Sequence, residues 1–445
     1  MNTHTSVPTK RRISFLEKVH EGLRDAAQRI VGDAGSWFLF FGVIYLILML
    51  KAISWNALSN QLFFSFYSIM ITTYILSRFL LSYLRKPIAL DLSYQPSVTF
   101  VVPAKNEEEN IRETIRRFGQ VEYPREKVEV IVINDGSTDK THQEMLRAAD
   151  EIRNAVQRIE VVNWTTNRGK RHGMAEGVKR AMHEIVIFID SDSFIEPGSV
   201  RHLAKYFADP SVGAVSGHTD VYNAHENLLT QMQAIRYYIA FKVYKAAEAV
   251  FGTVTCCPGC CSAYRRSYLM EFLDEWLNQK FLGERCTFGD DRSLTNFMIR
   301  NHRAVYAESA KAFTIVPASF SKYVKQQQRW KKSWIRETFI ASGFIWRKHP
   351  LAALSFYSYV FLAFASPIVF IRAMFWYPIF HHTFPVIYLL GLLLMLFLHG
   401  LFYRIHVGPR AWLLAIFNFW FNTVILMWQL PWAVFTIRDS RWGTR

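Results

Sequence analysis

The chain has 445 residues, 51% of them hydrophobic and 16% aromatic, and carries a formal net charge of +16. Its apolar residues gather in blocks at 37–50, 62–84, 351–379, 386–402 and 411–437, several with the length of membrane spans. That distribution excludes a wholly soluble protein, and basic residues clustered beside the spans argue for contact with anionic lipid and against nucleic-acid binding.

Residues 1–36 are basic and polar, with Lys10, Arg11, Arg12, Lys18, Arg24 and Arg29 and no small-residue cleavage site after a short apolar core. A cleaved signal peptide is therefore not expected, and positive-inside reasoning puts this end in the cytoplasm. Two spans over 37–86 return the chain to the cytoplasm at Arg85-Lys86. Residues 94–318, of ordinary soluble composition, form a cytoplasmic domain. An amphipathic segment over 319–349 and a C-terminal membrane region over 350–445 follow it.

In the soluble domain, apolar runs at 97–104, 128–134, 159–164 and 185–189 alternate with helix-forming stretches. This order predicts a parallel sheet with helices on both faces, a Rossmann-like nucleotide fold. No Gly-x-Gly-x-x-Gly follows the first strand, so a dinucleotide is not expected. The strand ends are acidic: Glu107 follows the first, Asp135 ends the second, and Asp190-Ser191-Asp192 ends the fourth. On an extended chain Asp190 and Asp192 point the same way, so both carboxylates can face one hard cation. Acidic ends repel a phosphate unless a divalent metal stands between them, with basic side chains adding countercharge. Asn167-Arg168-Gly169-Lys170-Arg171-His172 supplies such side chains at a helix start, where they oppose the dipole and a bound anion accounts for them. Taken singly, the acidic turn and the basic helix start read as solvated termini; together they favour a ligand.

Gly289-Asp290-Asp291-Arg292 opens another helix. Asp291 suits a general base, because Asp290 beside it raises its proton affinity, although a carboxylate there also serves as a plain N-cap. Gln326-Gln327-Gln328-Arg329-Trp330 lies in 323–346, where Lys325, Lys331, Lys332 and Arg336 stand among Trp and Phe, as in a helix lying in the membrane interface. Cys256-Cys257-Pro258-Gly259-Cys260-Cys261 lacks zinc spacing and a second Cys/His cluster. It reads as reduced thiols packed beside a substrate channel.

In this order, Asp135-Gly136-Ser137, Asp190-Ser191-Asp192, Gly289-Asp290-Asp291 and Gln326-x-x-Arg329-Trp330, flanked by spans, resemble the processive, membrane-embedded family-two glycosyltransferases. That group contains the hyaluronan, chitin and cellulose synthases and the nodulation chitooligosaccharide synthases. The resemblance runs from Ser97 to Arg445 and is greatest to the hyaluronan synthases. It is carried by Gly169-Lys170-Arg171-His172, Cys286-Thr287-Phe288-Gly289-Asp290-Asp291-Arg292, Lys332-Ser333-Trp334-Ile335-Arg336-Glu337 and the terminal Trp442-Gly443-Thr444-Arg445. The Cys-rich stretch departs from it: hyaluronan synthases usually have one Cys before Gly-Pro or Gly-Gly there, and nodulation synthases are richer in Cys. The terminal motif is shared with a capsule synthase that alternates glucose and glucuronate.

The resemblance implies an α/β GT-A (Rossmann-like) cytoplasmic glycosyltransferase domain inserted between α-helical transmembrane regions, with amphipathic interface helices. It implies the donors UDP-glucuronate (UDP-GlcA) and UDP-N-acetylglucosamine (UDP-GlcNAc), a nascent polysaccharide secreted through the chain's own channel, and Mg2+ or Mn2+ held in part by Asp192. Glu107 and Asp135 would line the uridine pocket, Asp190 would contact the nucleotide, and Lys170 and Arg171 would neutralise phosphate. Asp291, with Asp290 beside it, would deprotonate the acceptor hydroxyl in a single inverting displacement of UDP. Gln326, Arg329 and Trp330 would hold the acceptor end and the pyrophosphate, and Trp442 and Arg445 would close over the nucleotide. A monomer in the plasma (inner) membrane, in contact with lipids and with no nucleic acid, is expected.

The last apolar block is basic at both ends and interrupted by Pro431, so a broken, re-entrant segment is expected there in place of one full crossing. Rival readings are a chitin-type or glucose–glucuronate polymer synthase, a lipid-linked single-addition transferase, and a non-catalytic scaffold or transporter. The complete set of acidic motifs and Gln326-x-x-Arg329-Trp330 weighs against the last two.

Overall fold

The computed structural model describes residues 15–58, 61–85 and 93–439, without the side chains of 15–33 and 56–58. Lys10, Arg11, Arg12, Lys86, Trp442 and Arg445 lie outside the described residues, and of Lys18, Arg24 and Arg29 only the backbone is described. The chain divides into two compact units, Met1–Ala57 with Val386–Phe417, and Leu58–Pro385 with Asn418–Arg445.

Helices α1 (Phe15–Leu58) and α2 (Leu62–Leu84) precede the sheet. Val98–Ala104 (β1), Val128–Asp135 (β2), Arg158–Trp164 (β3) and Ile185–Phe188 (β4) pair in parallel. Every residue of β1 and β2 is buried, as strands covered on both faces require. Ser193–Ile195 (β5), Val212–Val221 (β6), Ser262–Arg265 (β7) and, after a hairpin of Lys280–Phe281 (β8) and Glu284–Arg285 (β9), Arg303–Thr314 (β10) complete the sheet. Its order is β3-β2-β1-β4-β7-β6-β10-β5.

The sheet is mixed, not parallel throughout. β7 runs antiparallel to β4 and β6, and β5 antiparallel to β10. β7 is only Ser-Ala-Tyr-Arg and has no apolar run to announce it. Its register, Ser262 opposite Phe188, brings the Cys-rich loop to the carboxyl end of β4. Between β4 and β5 the chain turns, with the Ser193 N–H donating to the Asp190 carbonyl at 3.0 Å. Asp190 and Asp192 therefore stand on a turn rather than on the extended chain that would have aligned them.

Strand alternation sends Phe100, Val130 and Val132 to one face and Val101, Ile131 and Ile133 to the other. The first face packs on α3 (Ile111–Phe118), α4 (Thr141–Ile152) and, further along, residues of Ser199–Ala204 (α6). The second packs on α5 (Lys170–Arg180), α9 (Arg266–Leu277) and α10 (Asp290–Asn301). Between β6 and β7 lie α7 (Leu228–Ile239) and α8 (Ala246–Ala249).

After β10 come α11 (Phe320–Ser342), α12 (Pro350–Ile371), α13 (Tyr377–His381), α14 (Val386–Val407), α15 (Trp412–Trp420) and α16 (Gln429–Phe435). Among the described residues, five helical segments are long and apolar enough to cross a membrane: Ala34–Trp55, Leu62–Leu84, Pro350–His381, Val386–Val407 and Trp412–Phe435. The last is broken, as its sequence suggests, but ahead of Pro431. The proline sits in the first turn of α16, where a missing N–H has no helical acceptor to lose. In the smaller unit, Arg404 Nε donates to Ser36 Oγ at 3.1 Å, joining α14 to α1. In the larger, α16 lies along α11, and Lys331 Nζ donates to the Leu426 carbonyl at 3.0 Å.

Candidate active site

The loops after β1 and β2 are knitted together. Glu107 is half-buried, its N–H donating to Thr141 Oγ1 at 2.7 Å, while the Thr138 N–H donates to Asn106 Oδ1 at 2.9 Å. Asp135 is buried, and its two oxygens accept the Arg168 N–H at 2.6 Å and the Gly169 N–H at 2.9 Å. Its carboxylate thus fixes the basic loop. Gly169, at φ 95°, makes the left-handed bend that starts α5.

Lys170 and Arg171 diverge, as neighbours on a helix do. Lys170 Nζ lies 2.5 Å from Asp190 Oδ1. Arg171 turns inward: its Nε donates to Asp290 Oδ1 at 2.7 Å and its Nη1 to the Trp276 carbonyl at 2.9 Å. Arg171 and Asp290 are 4% and 3% exposed, so this pair is part of the packed interior.

Asp291 occupies the open side of the same turn. Its Oδ1 is buried and has no hydrogen-bond partner among the described residues. A Cβ added at Gly259 would stand 3.0 Å from that oxygen and 2.7 Å from Asp190 Oδ1, so the Cys-rich loop threads between two carboxylates. Burial raises the Asp291 carboxyl above its usual range; Lys170 and the Gly259 backbone N–H oppose this, while Asp190 and, more weakly, Asp290 add to it. The sequence assigns that raising to Asp290. Arg171 matches the charge of Asp290, whereas Asp190 stands across Gly259. Burial works against the Lys170 ammonium, but Asp190, Asp291 and Asp290 together hold it above its ordinary value.

Of the thiols in the Cys-rich loop, Cys260 borders this site, whereas Cys257 and Cys261 pack into the cores on either face of the sheet. Cys260 Sγ is 3.6 Å from Asp190 Oδ2, and burial pushes Cys257 and Cys261 up to about 12. At neutral pH these are protonated packing groups, not thiolate ligands.

α11 closes another side. Trp330 is 37% exposed, and its ring centroid lies 6.5 Å from that of Tyr237 on α7. Burial, followed by Cys260, raises the Tyr237 phenol, with Asp192 and Asp190 adding to it. Tyr237 therefore links Trp330 to the turn after β4. Gln326 Oε1 is buried with no hydrogen-bond partner among the described residues, and Arg329 is half-buried. Arg236 ties α7 to α11, its Nη1 donating to Gln327 Oε1, to Tyr323 Oη at 3.2 Å and to Asn422 Oδ1 at 3.2 Å. Sequence reasoning did not single out Tyr237 or Arg236. Tyr237 is one of 20 tyrosines and belongs to no motif.

Residues 96–333 match the family described as glycosyltransferase-like family 2. A hyaluronan synthase of Streptococcus pyogenes is 32% identical over 390 residues, covering 85% of this chain and 90% of that protein. The chain belongs to glycosyltransferase family 2. It is thus a glycosyltransferase with the α/β GT-A fold, flanked by apolar helices consistent with membrane regions, and its relation to hyaluronan synthases makes it a polysaccharide synthase of that family. An N-acetylglucosaminyltransferase of Mesorhizobium japonicum is 34% identical over 248 residues, covering 55% of this family-2 chain and 58% of that protein. A mannosyltransferase from Pyrobaculum calidifontis, solved in complex with GDP-Man and Mn2+, shares the fold. Its TM-score is 0.57 at 21% identity, with 84% of this chain and 98% of that one covered.

A divalent cation fits the donor set of this family-2 enzyme in one way only. Among the described residues, no three His, Cys, Asp or Glu side chains form a protein cage for an ion. Mg2+ typically takes one or two carboxylates and completes its shell with substrate phosphates and water. The half-buried Asp192, on the turn after β4, suits that open arrangement.

Proposed function

We propose that this polysaccharide synthase polymerises UDP-GlcA and UDP-GlcNAc into hyaluronan by inverting transfer and passes the product through its own membrane helices. An acceptor hydroxyl attacks the anomeric carbon of the donor sugar. The new C–O bond forms as the bond to UDP breaks, and the hydroxyl proton passes to Asp291. The observation that carries this reading is Asp291 Oδ1: buried, without a hydrogen-bond partner among the described residues, and facing Asp190 across Gly259. A general base needs an available lone pair and a proton affinity raised toward the working pH.

Lys170 exchanges Asp190 for the donor diphosphate; neutralising and positioning the leaving group contribute most of the rate gain. Asp192 would hold Mg2+ or Mn2+, which when bound neutralises charge on the diphosphate. Glu107 borders the uridine pocket, and Asp135 shapes it by holding the Arg168 and Gly169 amides. Arg171 and Asp290 are positioning residues that set the first turn of α10, so of the two aspartates Asp291 alone meets substrate. Gln326, Arg329 and Trp330, joined by Tyr237, hold the acceptor end and the pyrophosphate. Trp442 and Arg445 close over the nucleotide; support comes from Lys332, whose Nζ donates to the Asp439 carbonyl at 3.2 Å and brings the end of the described chain to α11. The enzyme works as a monomer among plasma (inner) membrane lipids with its transferase domain cytoplasmic. Arg85, at the end of α2, supports that placement by pairing with Glu308 and donating to the Tyr306 carbonyl at 2.9 Å.

The test is product formation by the purified chain in nanodiscs, with Mg2+ and each UDP-sugar singly and in pairs, followed by hyaluronan lyase. High-mass product that requires both UDP-GlcA and UDP-GlcNAc and is digested by the lyase is the expected result. Polymer from UDP-GlcNAc alone would replace it with a chitin-type reading, which the Cys-rich loop and the relation to an N-acetylglucosaminyltransferase favour as the second choice. Polymer from UDP-glucose with UDP-GlcA would make it a capsule-type synthase.

A further inference from the structure

α10 carries two functional faces. Asp291 faces the strand ends, and the next residue, Arg292, lines a cavity of about 30 Å³ together with Tyr74 and Arg78 of α2, Glu248 of α8, Trp334 of α11 and Tyr359 of α12. Arg78 is 4% exposed, and its Nε is buried with no hydrogen-bond partner among the described residues. Its Nη2 has only a long contact to Ser77 Oγ at 3.3 Å, and the guanidinium carbon lies 4.9 Å from the Tyr74 ring centroid. Among the described residues, neither Arg78 nor Arg292 has a carboxylate within ion-pair distance. Two carboxylates also line the cavity, and both are engaged elsewhere: Glu248 accepts from the Thr255 N–H at 2.9 Å and from its hydroxyl at 3.2 Å, and Glu337 accepts from Arg336 Nε at 2.8 Å and from Asn296 Nδ2 at 3.0 Å.

A guanidinium on a membrane-spanning segment is costly to leave unpaired, and two facing one cavity mark an anion site. The walls are largely aromatic: Tyr74 and Tyr359 stack on each other at 5.7 Å and Trp334 meets Tyr359 edge-on at 5.3 Å, so the guanidinium groups meet few competing polar groups there. A volume of about 30 Å³ has room for a group near the size of one water or one carboxylate and not for a pyranose ring. The cavity therefore reads a substituent. It also stands one residue from the proposed base, on the side of α10 turned toward α2 and α12.

We propose that Arg78 and Arg292 form a receptor for the carboxylate of a uronic acid residue in the nascent chain, immediately beyond the transfer site. The inference rests on the reading of the product as an acidic polymer. Planar guanidinium forks match a carboxylate in a way lysine does not, and a neutral polymer would offer the buried Arg78 Nε no charged acceptor. The receptor thus favours retention of a chain that carries glucuronate over one that does not.

The experiment measures binding of a hyaluronan tetrasaccharide and of chitotetraose to the full chain in nanodiscs of zwitterionic lipid, for the wild type, Arg78→Gln, Arg78→Lys and Arg292→Gln. The wild type should prefer the acidic ligand, and that preference should fall with added salt. Each Gln variant should lower the affinity ratio about tenfold, the loss of one charge-assisted contact, and Arg78→Lys should retain part of it. Equal loss of both ligands, no change in either, or no wild-type preference overturns the proposal. So does loss of the preference in nanodiscs containing anionic lipid, with Arg78→Gln insensitive to that lipid, since the occupant would then be a headgroup phosphate. Which donors the wild type polymerises is measured separately. A glucuronate-free product with the binding preference intact would overturn the polymer reading and leave the receptor standing; the converse would overturn the receptor alone.

Discussion

The Lys170 ammonium lies 2.5 Å from the Asp190 carboxylate, so the start of α5 and the end of β4 share one ion pair. A donor diphosphate carries more negative charge than one carboxylate, and on the proposed reading it would draw Lys170 toward itself. Lys170→Met is expected to lower kcat/KM for the donor roughly 10²-fold, with Lys170→Arg retaining part of the activity. Donor-dependent UDP release measures both. Equal turnover by the Met variant would remove Lys170 from the phosphate site.

Asp291 predicts a pH profile. Burial holds its carboxyl above the ordinary range, and a base works only when ionised, so activity should fall as pH drops through that raised value. Lys170 lowers this proton affinity and Asp190 raises it. The acid limb of kcat/KM should therefore move to higher pH in Lys170→Met and to lower pH in Asp190→Asn. Asp291→Asn should lose about 10²–10⁴-fold in transfer while still binding UDP. An unshifted limb in both neighbours' variants would assign the titration to another group.

The Arg171–Asp290 pair predicts a stability effect. Both side chains are nearly inaccessible, so Arg171→Met strands a buried carboxylate at a cost of about 3–5 kcal/mol. Replacing both partners, Arg171→Met with Asp290→Leu, should recover most of the loss. Thermal unfolding of the single and the double variant beside the wild type in detergent decides it. A single variant as stable as the wild type would make the pair a surface feature open to phosphate.

Asp192 predicts metal dependence. Chelation should silence the wild type, and titration with Mg2+ or Mn2+ should restore UDP release. Asp192→Ala should require at least about tenfold more metal for half-activation, or give none. Identical titrations for the two would take Asp192 out of the ion's shell.

Much of this site was legible because its parts lie at the ends of strongly apolar strands. β1, β2 and β4 announce themselves by apolar runs rich in Val and Ile, and the acidic residues stand at or just past their carboxyl ends. What the pattern concealed is tertiary. Lys170 and Arg171 are equivalent in sequence, yet a difference of one residue on a helix sends one to Asp190 and the other to Asp290. β7 is too short and polar to register as a strand, although its antiparallel return carries Gly259 and Cys260 to the site. Tyr237 acquires its place only because Arg236 ties α7 to α11.

Gly259 offers the sharpest test of that hidden geometry. A methyl group at this position would stand 2.7 Å from Asp190 Oδ1 and 3.0 Å from Asp291 Oδ1, closer than carbon and oxygen settle without movement. Its backbone is not in the left-handed region, so alanine costs little in conformation and acts through displacement. Gly259→Ala should fold and reach the membrane like the wild type, yet lose several-fold in kcat, because it displaces Asp190 and Asp291 by a few tenths of an ångström, short of the shift of about 1 Å that costs about 10²-fold. Freeing Asp190 to move should partly reverse the loss: Cys260→Ala in the Gly259→Ala background removes the thiol that donates to Asp190 Oδ2 at 3.6 Å and opens space beside it. Full activity in Gly259→Ala would mean that Asp190 and Asp291 are not held at one distance by this loop, and the pairing of donor-side and acceptor-side carboxylates would have to be set elsewhere.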